Sequence, residues 1–502
     1  LTKEMTAYYE NDPEFTQYQQ YAVNRDEARR IVNKLLAKIM TTFVTDIPKL
    51  KHDIWWQTGM FCNLGLAFPE VATKFAVHCF LYAKTILLLG TEKHLPYVER
   101  ALKLKDLGCF GLTEIAHGSN VQGSITVAVY EEETENFVLN TNSERGLKYW
   151  IGNAGQTANM AIVFASLIIK GKDYGIHSFI VPIRNENDHT PMPGVTIGDC
   201  GDKLGLKGVD NGYLGFRYVR IPRDNLLDRC TQVDKAGNVT SLFSTKRKRF
   251  AVQMASLSDG RAKMSMISAI AIFKATTIVM RYLAQRRQFG EKKYEEQVLL
   301  DYPAIQNRVL PHFSKALVSC FAARYIVNQW GRLHPQIFTT HNDELKEMHG
   351  YISIGKSLVT QYLLDSLNEY RAVCGGHGYS SYSEIPSMLS DLHVMVTWEG
   401  DNNVLYQQTA RFILGAYGKL ARTGTLNIPS LDYLKLESVE GDRCPPVKDY
   451  KAFSCPNFLD IAMKHRACIT AQRAAMKMQE SLGEHSQWES WNKCVPFNMN
   501  VM

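Results

Sequence analysis

Apolar positions recur at three- and four-residue intervals from Glu27 to Met40 (EARRIVNKLLAKIM), which predicts a helix with one buried face. A longer apolar segment, Thr73–Leu89, is closed by Gly90, a common helix-ending residue. Between about 106 and 240 the texture changes. Ser124–Tyr130 is rich in β-branched residues, Glu131–Glu135 forms an acidic turn and Phe137–Asn140 follows, a hairpin pattern. Met160–Phe164 and Ile176–Ile183 are further strands, and Gly and Pro punctuate Pro191–Pro222. Helical periodicity returns from about 245. Gly260 is expected to precede a long helix through Leu283, and Lys274 in mid-run predicts an amphipathic bundle helix, not a membrane span. Helices continue to about Tyr417; a polar linker and a helix at Phe458–Leu482 follow. The order of helices, antiparallel β block and helices predicts an α+β fold, not an alternating βαβ sheet. Its expected parts are an N-terminal helical domain (1–105), a middle antiparallel β domain (106–240), a helical bundle (241–420) and a C-terminal helical extension (421–502).

Composition adds limits to this picture. The 502 residues are 45% hydrophobic and 21% charged, ordinary for a soluble chain with sizeable cores. The net charge of +7 is mild over this length; it suits an anionic small ligand and does not demand nucleic acid. The 11 cysteines are scattered without a CxxC pair, which predicts free thiols in a reducing compartment. No membrane span is expected: the longest uncharged stretch, Ile151–Ile169, opens with Asn153, Gln156 and Asn159. The chain starts at Leu1 and ends Asn500-Val501-Met502. We therefore expect the natural N-terminus to be missing, and the ending is not of the Ser-Lys-Leu type. No GxGxxG motif opens a helix after a strand, and there is no P-loop.

Several short segments carry possible chemistry, each with a plainer reading beside it. Cys109–Asn120 (CFGLTEIAHGSN) offers Thr113, Ser119 and Asn120 among glycines; such a loop binds a polar ring or phosphate, or is simply a turn. In Lys148–Gly155, Trp150 lies against a flat cofactor or fills a core. Arg286 in Arg-Arg-Gln-Phe-Gly either grips a pyrophosphate or is a solvated helix end. Cys374–Tyr379 (CGGHGY) lets a ligand approach the backbone at Gly375 and Gly376, while His377 lacks the second histidine a metal site would need. Glu399, preceded by Val394, Met395, Val396 and Trp398, is either a base in a partly apolar pocket or a loop carboxylate. Lys246–Arg249 reads best as a solvated loop.

In order and spacing these segments resemble the acyl-CoA dehydrogenase/oxidase superfamily, most closely the peroxisomal acyl-CoA oxidases, from about residue 50 to about 415. The matching segments are Gly111–Asn120, Trp150-Ile-Gly152, Lys203–Gly208 with Asp210-Asn-Gly212, Arg286–Gly290, Cys374–Tyr379 and Glu399–Asn402. The pairing of Arg286-Arg-Gln-Phe-Gly290 with Glu399-Gly-Asp-Asn-Asn403 and Gln407-Gln-Thr409 looks most like the branched-chain, pristanoyl-type oxidases. The resemblance implies FAD as cofactor, with Thr113, Trp150 and Gly152 at the flavin. It implies a homodimer in which Arg286, Gly375 and Gly376 reach the neighbouring subunit's FAD. Glu399 would be the base that takes the α-proton of a fatty acyl-CoA, and Ser119 and Arg261 would lie on the substrate side. Some dehydrogenases carry the base just before the position of Arg261; Gly260 stands there and cannot serve. The implied reaction is α,β-dehydrogenation of acyl-CoA to trans-2-enoyl-CoA with O2 reduced to H2O2, in peroxisomal fatty acid β-oxidation, with no metal. The alternatives are a dehydrogenase that uses an electron-transfer flavoprotein and a catalytically silent acyl-CoA-binding relative. Trp398 is bulkier than most relatives would carry there. The roughly 85 residues after Tyr417 are fewer than full-length peroxisomal oxidases have.

Overall fold

Helix α1 (Arg25–Phe43) starts where the Asn24 side chain accepts from the Glu27 amide, and Asp26 and Glu27 complement the first-turn dipole. α2 (Ile54–Ala67) is capped the same way by Asp53. α3 runs over Pro69–Leu89, with Pro69 at its first turn, a π-helical middle (Ala76–Ala83) and an end sealed by the Gly90 amide on the Ile86 carbonyl. The computed structural model describes residues 1–18, 23–44, 46–291, 295–338, 343–435 and 450–499. The chain forms two compact units, Leu1–Thr340 with Val359–Glu399, and His341–Leu358 with Gly400–Met502.

In the first unit the helices give way to β1 (Gly108–Gly111), β2 (Val127–Glu131), β3 (Asn136–Asn140), β4 (Lys148–Ile151), β5 (Met160–Ile169), β6 (Lys172–Pro182), β7 (Val195–Asp199), β8 (Gly212–Phe216) and β9 (Val219–Pro222). The expected hairpin is β2–β3. A longer one, β5–β6, turns at Lys170 and Gly171, both with positive φ, the geometry that suits a right-twisted ribbon. The main sheet is mixed, not purely antiparallel, because β1 and β2 both run parallel to β5. β6 takes the other edge of β5, so β1 and β2 lie end to end along one edge. β1 pairs as far as Val163 and β2 resumes at Ser166, so residues 112–126 leave the sheet across a gap of only Phe164 and Ala165. A second, three-stranded sheet has the order β4–β8–β7. Ala161, Val163, Ala165, Leu167 and Ile169 face a core shared with Leu214 and Phe216 of the smaller sheet. Ile162 and Phe164 are buried on the opposite face, which is why β5 reads as an unbroken apolar run.

Two sequence expectations need correction here. Lys246–Gln253 is a helix, not a solvated loop: Arg249 is buried and donates to the carbonyls of Phe243 (2.7 Å) and Tyr174 (3.1 Å). Gly260 does not precede the following helix but lies inside it, in α4 (Ala255–Leu283). α5 (Pro303–Leu333) comes next, then α6 (Asp343–Val373), whose later part belongs to this unit. By length and composition alone, Pro69–Leu89 and Ser256–Leu283 are apolar enough to cross a membrane. Their most apolar windows are 89% and 56% buried within the fold. Lys74 and Lys84 in the first of them are buried against Asp210 and Asp259.

The second unit contains the start of α6, α7 (Asn402–Thr423) and α8 (Pro456–Leu482). Ile413 and Ala416 of α7 pack with Leu431, Leu434, Ala471 and Ala474. The buried Lys356 ammonium donates to the carbonyl of Gly400 (2.7 Å) and to Asn402 Oδ1 (2.9 Å), fixing the start of α7. Most of the expected polar linker, 436–449, and the last residues, 500–502, lie outside the described residues.

Candidate active site

Glu399 lies in the turn that follows a short 3-10 segment, His393–Val396, and takes a left-handed backbone with φ of 52°; Gly400 follows at 107°. A non-glycine residue in this region is costly and persists only where its surroundings hold it. Arg261 of α4 supplies that hold, its Nε donating to the Glu399 carbonyl at 2.5 Å. Burial lowers the Arg261 pKa, and the Glu399 carboxylate opposes that shift. The carboxylate lies on α4 itself. A Cβ built on Gly260 would fall 2.2 Å from Oε2 and 2.5 Å from Oε1, and the three nearest atoms all belong to this one carboxyl group. The absent side chain at 260 therefore makes the space this carboxylate occupies. Arg261, expected on the substrate side, is bound to the backbone of Glu399.

A second group forms around β4. Thr113, in the excursion after β1, accepts from the Tyr149 amide (3.0 Å) through its carbonyl, and its hydroxyl donates to the Tyr149 carbonyl at 2.8 Å. Trp150 is 57% exposed, with φ of 64° at an irregularity in the β4–β8 pairing, and Asn211 donates to its carbonyl at 3.1 Å. The core reading of this indole is excluded. Gly152 passes so near the π-helical turn of α3 that an added Cβ would meet Val77 Cγ2 at 3.0 Å. The next turn is locked by Asp210, which accepts from the amides of Gln156 and Thr157 (both 2.8 Å) and pairs with the buried Lys74. Ser119 stands on the exposed tip of the excursion.

The third group is at the end of α4. Arg286 is exposed, as are Gly375 and Gly376, and a Cβ at either glycine would meet open space. The Tyr282 and His377 rings, 5.7 Å apart, bring this helix end to the glycine segment. The structure thus gathers Glu399 with Gly260 and Arg261, Thr113 with Trp150 and Gly152, and Arg286 with Gly375 and Gly376.

Sequence reasoning missed the buried ion pairs behind these groups, Lys74–Asp210, Lys148–Glu114 and Lys84–Asp259. The available signal was a lysine inside an apolar segment, as at Lys74 and Lys84; their partners lie too far along the chain to be read from spacing.

Comparisons with known proteins bear on this arrangement. The family model "Acyl-CoA oxidase, C-alpha1 domain" matches residues 254–414, and "Acyl-CoA dehydrogenase, middle domain" matches 109–219. Peroxisomal acyl-coenzyme A oxidase 2 of Arabidopsis thaliana is 34% identical over 94% of this chain and 70% of its own length. The chain belongs to the acyl-CoA oxidase family. Human peroxisomal acyl-coenzyme A oxidase 3 is 34% identical over 86% of the chain, which spans 63% of that relative's length. The crystal structure of Caenorhabditis elegans acyl-CoA oxidase-2, bound with FAD, ascaroside-CoA and ATP, superposes with a TM-score of 0.88 at 27% identity, covering 100% of this chain and 73% of that one.

The residues present fit an FAD. Trp150 offers an exposed indole face, the glycine segment offers open backbone, and the buried Trp398 Nε1 meets no acceptor among the described residues.

Proposed function

We propose that this protein is an FAD-dependent acyl-CoA oxidase of peroxisomal fatty acid β-oxidation, converting a fatty acyl-CoA to trans-2-enoyl-CoA with O2 reduced to H2O2. The observation that carries this reading is the seating of the Glu399 carboxylate in the space left by Gly260, with its backbone held by Arg261. Thr113, Trp150 and Gly152 hold the flavin side, and Ser119 meets the substrate. FAD, when bound, supplies the hydride-accepting chemistry.

Glu399 takes the proton from the carbon next to the thioester carbonyl. A carboxylate in water is far too weak a base for this step; removing solvent raises its basicity, and hydrogen bonds to the thioester oxygen stabilise the charge that develops there. The Glu399 amide is one such donor in this reading. Its direction is set by the left-handed turn and by the Arg261 bond to the adjoining carbonyl.

The reading includes a homodimer in which Arg286, Gly375 and Gly376 reach the FAD of the other subunit. Supporting it, α5 exposes Leu310, Phe313, Leu317, Phe321 and Tyr325 at three- and four-residue spacing, a stripe of the kind that a second helix surface covers.

The test is peroxide release from purified protein and a panel of acyl-CoAs, with and without Glu399→Gln. The wild type is expected to form one peroxide per enoyl-CoA. The variant keeps FAD and acyl-CoA binding and loses turnover by about two to four orders of magnitude, the range for a positioned general base. Enoyl-CoA formed only when an electron acceptor is added would make the protein a dehydrogenase. Near wild-type turnover in the variant would remove Glu399 from its role.

A further inference from the structure

The excursion over residues 112–126 leaves and rejoins the sheet at nearly the same point, and one carboxylate closes it. Glu114, on the outgoing leg, accepts from the amides of Ile125 (2.7 Å) and Thr126 (3.0 Å) on the returning leg, and also from the Ser124 hydroxyl. Lys148 of β4, fully buried, donates to the same carboxylate at 3.0 Å, to the Leu112 carbonyl at 3.2 Å and to Ser124 Oγ at 3.2 Å. His117 Nδ1 lies 3.2 Å from Glu114 Oε2, and residues 114 and 117 exchange backbone hydrogen bonds. A Cβ on Gly123 would fall 2.9 Å from the His117 ring, so the two legs of the tip are in close contact. Beyond this knot Gly118, Ser119 and Asn120, with Gln122, project as exposed residues.

An ion pair with no solvent access is a poor stabiliser when compared with apolar packing, because both charges must be desolvated. Its geometric effect is different: charge-assisted bonds are short and directional, and several of them converging on one carboxylate define the path of the chain. Here they fix the excursion both to itself and to the strand that carries Trp150.

We propose that Glu114 and Lys148 are positioning residues for substrate binding: they hold the 118–120 tip in the conformation that meets the acyl-CoA. They touch neither the reacting atoms nor, in this reading, the substrate. The inference rests on the oxidase reading for its kinetic arm only.

The experiment compares wild type, Glu114→Gln and Ser124→Ala. It uses steady-state peroxide release from an acyl-CoA and hydrogen exchange of the FAD-loaded protein. Glu114→Gln is expected to raise KM about tenfold, as expected when charge-assisted bonds that order a binding segment are weakened, with kcat within about twofold. Ser124→Ala removes one donor and leaves the ion pair in place; it is expected to raise KM about threefold, and it keeps the test open if Glu114→Gln does not fold. In both variants amides 117–126 exchange faster while those of β5 are unchanged. Folded variants with wild-type KM and wild-type exchange over 117–126 would overturn the proposal. So would equal acceleration in β5, which would make the pair a general support of the sheet. Should the wild type release no peroxide, the oxidase reading fails, and the exchange arm still decides whether the carboxylate orders the tip.

Discussion

Gly260→Ala isolates the placement of the Glu399 carboxylate, the proposed base, from the stability of the fold. The added methyl would sit 2.2 Å from Glu399 Oε2, and ordinary contact begins at 3.4 Å, so the carboxylate must retreat by about 1.2 Å. The three nearest atoms all belong to the same flexible side-chain end, so the clash falls first on that carboxylate. The backbone of Glu399 cannot follow easily, because its carbonyl is bound to Arg261. A displacement of about 1 Å in a reacting group costs on the order of a hundredfold in rate, or about 3 kcal/mol in activation free energy. Replacing glycine by alanine within a helix such as α4 meanwhile stabilises by up to about 1 kcal/mol. The expected result is a kcat lowered about a hundredfold, with a melting temperature equal to or slightly above wild type and unchanged flavin content. Peroxide release and thermal unfolding measured on the same preparation are sufficient. Full kcat in a folded Gly260→Ala variant would show that the position of this carboxylate does not limit turnover, and the seat on α4 would lose its functional meaning.

Three other outcomes are expected. Arg286→Ala should lose FAD on gel filtration, read as a lower flavin-to-protein absorbance ratio; unchanged occupancy would remove Arg286 from the cofactor site. Phe321→Asp, at a residue 67% exposed on α5, should shift the protein from dimer to monomer in sedimentation without altering its circular dichroism. Glu114 gives a pH prediction. Burial alone would raise its carboxyl pKa, but Lys148, Ser124 and the amides of Ile125 and Thr126 outweigh burial and bring it from 4.5 down to about 2. A folded-state value below the unfolded one contributes stability that is complete above about 4.5 and is lost as pH falls towards about 2, up to about 3 kcal/mol. Urea unfolding should therefore show the wild type losing more stability than Glu114→Gln as the pH is lowered through that window, and parallel curves would refute the assignment.

What could be read along the chain was local. The three- and four-residue spacing of Glu27–Met40, the acidic turn before Phe137 and the glycine after Leu89 each belong to one element, and each element formed. The pairing of β1 and β2 with β5 was not legible, because parallel partners are brought together by what lies between them and leave no turn signature. Gly260 looked like a helix start since glycine is a poor helix former; its place within α4 is explained by a carboxylate 139 positions further on that needs the room. The same distance problem hid Lys74–Asp210 and Lys148–Glu114. The motif at Glu399 was visible as a sequence, but its left-handed turn and the Arg261 bond that holds it were not.

The break in the ladder along β5 also bears on how such a protein can change. Pairing is complete on both sides of Phe164 and Ala165, so residues can be added to or removed from the tip at Gly118–Asn120 without shifting the register of any strand. Change in the tip is thereby uncoupled from keeping the scaffold intact, and loop grafts between relatives should be exchangeable here as long as the carboxylate and ammonium that tie the neck of the loop are carried along.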